Sequence, residues 1–190
     1  MNAFLEAYRK ELFPAIEAID PVEFQKVVDL LIEAYRGDKQ IFMMGNGGSA
    51  GTANHFVCDF GKNAVQDPTK RRFRILSLSD NVEQITAFGN DLNFSEIFRQ
   101  QLMNLLNPGD LLIAISASGN SPDLVKACEY ASERGARQVA MAGFDGGKIK
   151  DFADAKLIVP LSGYELIEDV HMVLCHMIIC YFKSHPDCLD

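Results

Sequence analysis

Met44-Gly45-Asn46-Gly47-Gly48-Ser49-Ala50 is the stretch whose reading decides the fold. It follows an apolar run, Ile41-Phe42-Met43-Met44, and precedes a helix-compatible segment. A second apolar run, Leu111-Leu112-Ile113-Ala114-Ile115, ends in the same manner at Ser116-Ala117-Ser118-Gly119-Asn120-Ser121-Pro122. Both read as strand, small-residue loop, helix start. Glycine lets a backbone approach a ligand closely, and a helix start offers unpaired N–H groups and the positive end of a dipole. That chemistry suits an anion, above all a phosphate. Two such loops at strand ends of one sheet point to a phosphate pocket more firmly than either alone.

Outward from these loops the pattern alternates. Residues 2–18 and 22–36 read as amphipathic helices; in the second, Phe24, Val27, Val28, Leu31, Ile32 and Tyr35 recur at helical spacing. Asp20-Pro21 starts that helix and Gly37 ends it. The first, with Phe4, Leu5, Tyr8, Leu12, Phe13 and Ile16, carries more apolar surface than a flanking helix needs, which predicts packing against another subunit. Strands are expected at 40–44, 73–78, 111–115, 138–142 and 156–159. Helices are expected at 49–60, 82–88, 94–106, 123–134 and 163–182, with Gly89-Asn90-Asp91 as a break and 184–190 as a loose tail. Short strands separated by helices mean an α/β fold, a three-layer doubly wound parallel sheet preceded by a helical pair. Nothing suggests a second domain: 1–37 are the leading helices and 38–183 the core. Ligands of such folds sit beyond the carboxyl ends of the strands.

Bulk composition narrows the partners. The chain has 190 residues, 48% of them hydrophobic, enough for a real core. Its net charge of −8 argues against a general nucleic-acid binder. The run Lys70-Arg71-Arg72 with Arg74 reads as a solvated loop edge. No apolar stretch is long enough to span a membrane, and Met1–Arg9 lacks the apolar core of a signal peptide. Cys58, Cys128, Cys175, Cys180 and Cys188 show no C-x-x-C spacing and read as reduced thiols filling the core of a cytoplasmic protein.

Taken literally, Gly45-x-Gly47-x-x-Ala50 matches a dinucleotide fingerprint. That fingerprint needs an acid ending the second strand about 20 residues on. Here Asp80 comes too late, and a second loop of serines has no place in a dinucleotide site. The ordered set Gly45-Asn46-Gly47-Gly48-Ser49-Ala50, Gly89-Asn90-Asp91, Ile115-Ser116-Ala117-Ser118-Gly119-Asn120-Ser121, Gly143-Phe144-Asp145-Gly146-Gly147-Lys148 and a last helix bearing His176 instead resembles the sugar isomerase (SIS) domain family, in its phosphoheptose isomerase branch. The resemblance covers nearly the whole chain. It implies phosphate binding by Ser49, Ser116, Ser118 and Ser121 around Gly47 and Gly48, and sugar contacts by Asn46, Asn90, Asp91 and Glu168. It also implies a cytoplasmic homotetramer with sites between subunits, making a heptose 7-phosphate from sedoheptulose 7-phosphate for surface polysaccharide. Related SIS proteins that bind a sugar phosphate or the bacterial replication initiator without catalysis supply the alternative function.

The histidines and carboxylates complete the site. His55 and Asp59 are i,i+4 and share one helix face; Asp169 and His176 are i,i+7 on the last helix. An aldose–ketose isomerisation needs a base to move a carbon-bound proton and an acid at the carbonyl oxygen. By resemblance, Asp59 stands at the family's catalytic Glu and His176 at its catalytic His. Asp is one methylene shorter and reaches ~1.5 Å less far. Glu168 stands where the family has Gln, and Asn63 replaces an Arg near the phosphate, with Lys62 as a substitute. His55, Asp59, Glu168 and His176 make a two-His, two-carboxylate set that some members use for zinc; the alternative is a hydrogen-bonded cluster without metal. Glu165 aligns with a site-facing Asp, His171 reads as structural or at a subunit contact, and Asp145-Gly146-Gly147 as a structural turn.

Overall fold

Strand alternation organises the core on two faces. In the computed structural model, which describes residues 1–190, β1 (Gln40–Met44), β2 (Arg74–Ser77), β3 (Leu111–Ser116), β4 (Arg137–Gly143) and β5 (Ala155–Val159) form one sheet in the order β2-β1-β3-β4-β5. Every pairing is parallel. The helices are α1 (Asn2–Glu17), α2 (Pro21–Arg36), α3 (Gly47–Asn63), α4 (Val82–Asp91), α5 (Ile97–Leu105), α6 (Pro122–Glu133) and α7 (Tyr164–Ser184). Successive strand residues point to opposite faces. Ile41, Met43, Ile113 and Met141 pack with α2, α3 and α7, while Phe42, Met44, Leu112 and Ala140 pack with α5 and α6. These are the three layers the alternation predicts. From β1 the chain steps one way to β2 and then back across to β3, so the strand order reverses between β1 and β3. The loops after those two strands leave in opposite directions, and a crevice opens at their carboxyl ends.

α1 buries only Ala15, and leaves Phe4 67%, Leu5 43% and Phe13 55% exposed. Tyr8 fastens it to α7 by donating its hydroxyl to Asp169 Oδ2 at 2.6 Å. α2 begins as its sequence predicts: the Asp20 side chain accepts from the Val22 N–H and Pro21 opens the first turn.

Several expectations need correction. Gly89-Asn90-Asp91 is no break but the last turn of α4. The following 3-10 turn, Phe94–Glu96, is capped by Asn93, whose side chain accepts from the Ser95 N–H. The tail is not loose: Pro186–Leu189 forms a 3-10 turn, Leu189 is buried, and Arg36 donates to the Cys188 and Asp190 carbonyls at 3.1 and 2.9 Å. Apolar burial and satisfied carbonyls offset the entropy of ordering these residues. The basic run ties down the loop it sits on. Arg71 and Arg72 donate to the backbone carbonyls of Tyr35 and Val65, and Lys70 pairs with Asp190. Cys128 and Cys175 are buried, with thiols pushed up to about 12 by desolvation. Cys58 and Cys180 are exposed and fill no core.

His171 is fully buried on α7 and neither ring nitrogen has a hydrogen-bond partner. Desolvation lowers its pKa to about 4, outweighing a small opposite effect from the Ala142 backbone. Between pH 6.5 and 4 the unfolded chain therefore binds a proton that the folded one does not, and stability falls as pH falls through that window. We expect a loss of roughly 2 kcal/mol between pH 7 and pH 5 from this residue. Urea unfolding at the two pH values should show it, and His171→Leu should reduce the difference by that amount.

Candidate active site

The crevice at the strand ends is a cavity of about 200 Å³ lined by Asn46, Ser49, Ser116, Ala117, Ser118, Ser121, Tyr164 and Glu168. Both serine-bearing loops thus reach one space, as their placement after β1 and β3 predicts. α3, α6 and α7 all begin there, so three helix N-termini turn toward the same region. The hydroxyls also hold their own loop: Ser116 Oγ accepts from the Gly119 N–H at 3.1 Å, and Ser118 Oγ from the Asn120 N–H at 3.3 Å. Each still has its hydroxyl proton to donate to an anion.

Neighbouring turns lock these loops. Asn46 donates its side-chain amide to Asp123 Oδ2 at 2.7 Å, tying the start of α3 to the first turn of α6. Asp123 is buried, and desolvation raises its pKa against the opposing effect of that hydrogen bond. Ser79 accepts from the Gly45 N–H at 3.0 Å and donates to the Gly45 carbonyl at 2.8 Å. The turn at 145–148 clamps the second serine loop: the Lys148 and Ile149 N–H groups donate to the Gly119 carbonyl at 2.9 and 3.1 Å. Gly119 and Gly147 both have positive φ, and a Cβ on either would strike the other's turn. Asp145-Gly146-Gly147 is a structural turn that braces the second serine loop.

A second cluster lies further along α3 and α7. His55 Nε2 and His176 Nε2 are 2.9 Å apart, and Asp59 Oδ2 is 3.5 Å from His55 Nε2. Donor atoms of the three residues lie within 4.8 Å of one another. Two imidazoles bound at ~2.0–2.1 Å to one tetrahedral centre place their nitrogens roughly 3.3 Å apart, close to the separation seen. Two nitrogens and a carboxylate oxygen at these separations fit a divalent metal. Glu168 is not part of this group, against expectation. It is eight residues before His176, about 12 Å up the helix, and lines the serine cleft beside Gly48, where a Cβ would strike its carboxylate.

Other expected residues fall elsewhere. Asn90 and Asp91 lie exposed in the last turn of α4, bonded to each other at 2.9 Å, and do not line the cleft. Gly47 and Gly48 form the first turn of α3, between the lining residues Asn46 and Ser49, and are not lining residues themselves. Lys62 is thirteen residues from Ser49, about 20 Å along α3, and neither it nor Asn63 reaches the cleft. Glu165 is not a lining residue, and Asp169 is engaged by Tyr8. Tyr164, Asp123 and Ser79 were not singled out from the sequence. An aromatic residue opening the last helix was the available signal for Tyr164; nothing local marked the other two.

Comparison with known proteins agrees with this geometry. The model of the SIS domain family matches residues 5–143. A phosphoheptose isomerase from Geobacter sp. (strain M21) is 38% identical over 175 residues, covering 92% of this chain and 85% of that protein. One from Helicobacter pylori (strain P12) is 35% identical over 180 residues, covering 94% and 92%. The structure of phosphoheptose isomerase GmhA from Neisseria gonorrhoeae superposes with a TM-score of 0.87 at 30% identity, covering 96% of this chain and 98% of that one.

Gly45 is the tightest point of the first loop. A Cβ there would sit 2.8 Å from the Ser49 backbone, whereas one at Gly51 meets nothing within 4 Å. Gly45→Ala should cost about 1–3 kcal/mol and weaken binding of inorganic phosphate. Gly51→Ala, in an exposed helix interior, should stabilise by about 0.5–1 kcal/mol. Chemical denaturation and calorimetry check both.

Proposed function

This chain belongs to the SIS domain family, in its phosphoheptose isomerase branch, and from that premise we propose an isomerase that interconverts sedoheptulose 7-phosphate and a heptose 7-phosphate. The observation that supports this sugar is the spacing of the two clusters. Ser49 and His55 are six residues apart on α3, about 9 Å of rise. In an extended sugar the phosphorus of a 7-phosphate is seven bonds from C2, about 8–9 Å at roughly 1.2 Å per bond. A phosphate among Ser49, Ser116, Ser118 and Ser121 then places C1 and C2 beside Asp59 and His176. Sugars much shorter than this leave the gap unspanned.

Asp59 takes the proton from the carbon next to the carbonyl and returns it to the neighbouring carbon. His176 donates to the carbonyl oxygen as the enediol forms and recovers the proton from the other oxygen. His55, 2.9 Å from His176, holds that ring in place. Asn46 and Glu168 accept and donate along the sugar hydroxyls between the two ends. A zinc ion is the metal that His55, Asp59 and His176 are suited to hold; when bound it would supply Lewis-acid polarisation of a carbonyl oxygen. The whole chain, 1–190, acts as one such domain in the cytoplasm, on the path to surface polysaccharide. It assembles as a homotetramer through the exposed face of α1, with Asn90 and Asp91 completing a neighbouring subunit's site.

Purified protein should turn over sedoheptulose 7-phosphate. Asp59→Ala and His176→Ala should each lower kcat by about 10²–10⁴-fold, while Asp59→Glu should retain turnover. Wild-type rates in both alanine variants would remove these roles, and phosphosugar binding without any turnover would mark a binding protein instead. Metal analysis should find zinc at about one ion per chain after loading, and His55→Ala should lose most of it. A Phe4→Glu, Phe13→Glu double variant should run as a smaller species in light scattering.

A further inference from the structure

Glu168 is the one charged residue among those lining the serine cleft; no Lys, Arg or His joins it. A sugar phosphate bound there must be held by neutral donors, so each hydroxyl facing the cleft matters. Tyr164, the first residue of α7, lines the same cavity, and its phenol hydroxyl has no protein partner. The residue is 54% exposed and its ring is packed on one side. It meets Phe144 edge-to-face, with centroids 5.6 Å apart and planes at 66°. Phe144 follows β4 directly and has φ +52, a left-handed backbone that an aromatic residue rarely adopts. Its N–H donates to the Leu161 carbonyl at 3.0 Å, joining the loop after β4 to the segment leading into α7. Strain of this kind persists where the surrounding structure over-determines it, and it collects at ligand sites.

We propose that Tyr164 is a substrate-contact residue at the phosphate end of the cleft, where its hydroxyl donates a hydrogen bond to a phosphate oxygen. Phe144 is its positioning residue. The proposal rests on the phosphosugar reading of the cleft and adds to it the donor that stands in for a missing cation. A hydrogen bond to a charged group is worth more than one between neutral partners. The contact is to the phosphate rather than to the reacting carbons: Tyr164 is twelve residues before His176, about 18 Å along α7. Its loss should therefore fall on binding.

Tyr164→Phe removes the donor and keeps the ring. We expect KM for sedoheptulose 7-phosphate to rise about tenfold or more, kcat to stay within about twofold, and the inhibition constant of inorganic phosphate to rise in parallel. The melting temperature without ligand should not change. Phe144→Gly relieves the left-handed strain while freeing Tyr164, so KM and the phosphate constant should rise with no loss of melting temperature. An unchanged KM in Tyr164→Phe overturns the contact. So does a raised KM with unchanged phosphate inhibition, since the hydroxyl would then touch another part of the sugar. In either case wild-type turnover leaves the isomerase reading standing. Wild-type protein with neither turnover nor phosphate affinity sinks both.

Discussion

The site depends on α3 and α7 lying parallel and in register. Three contacts mark that register: Gly48 against Glu168, His55 against His176 at 2.9 Å, and Phe60 against Phe182 with ring centroids 5.3 Å apart. Both helices follow parallel strands, so both start at the carboxyl edge of the sheet and run back beneath it. Polar residues at their starts therefore meet near the serine-bearing loops. Those two turns further down meet as the His55–Asp59–His176 group, and the aromatic ends meet in the core. One packing arrangement sets the cleft, the His55–Asp59–His176 cluster and the distance between them. Without a side chain at Gly48 the helices approach closely enough for Glu168 to reach the cleft.

Charge in the cleft is managed without a cation. In a chain of net charge −8, helix starts and hydroxyls supply the donors that an anion in this cleft would need. Such groups are fixed before the ligand arrives, which limits the reorganisation that binding requires. That demands rigid loops, and the structure supplies them through contacts that never touch a ligand: Asp123 under Asn46, Ser79 around Gly45, and the Gly147 turn against Gly119. The Glu168 carboxylate works against a phosphate and suits the hydroxyl-bearing middle of a sugar.

The strand-loop-helix pattern, the parallel sheet and the two serine loops were legible because they rest on local rules. Period-two apolar runs, glycine and proline at turns, and the right-handed crossover leave few ways to arrange such a chain. The reach of both loops into one cavity followed from their places at the ends of β1 and β3. His55 with Asp59 was legible too, since four residues make one helical turn.

What only the tertiary structure decided was distance across elements. Glu168 shares a helix with His176 but meets α3 at Gly48, two turns above His55, so the candidate four-residue metal set became three. Asn90 and Asp91 keep their motif yet end exposed on α4, because their register on that helix turns them from the cleft. Tyr164 gained a role only when Phe144, twenty residues earlier, came against its ring. The tail settled on α2 because Arg36 found its carbonyls. Local pattern specifies which residues can do chemistry; the packing of helices on the sheet chooses which of them meet.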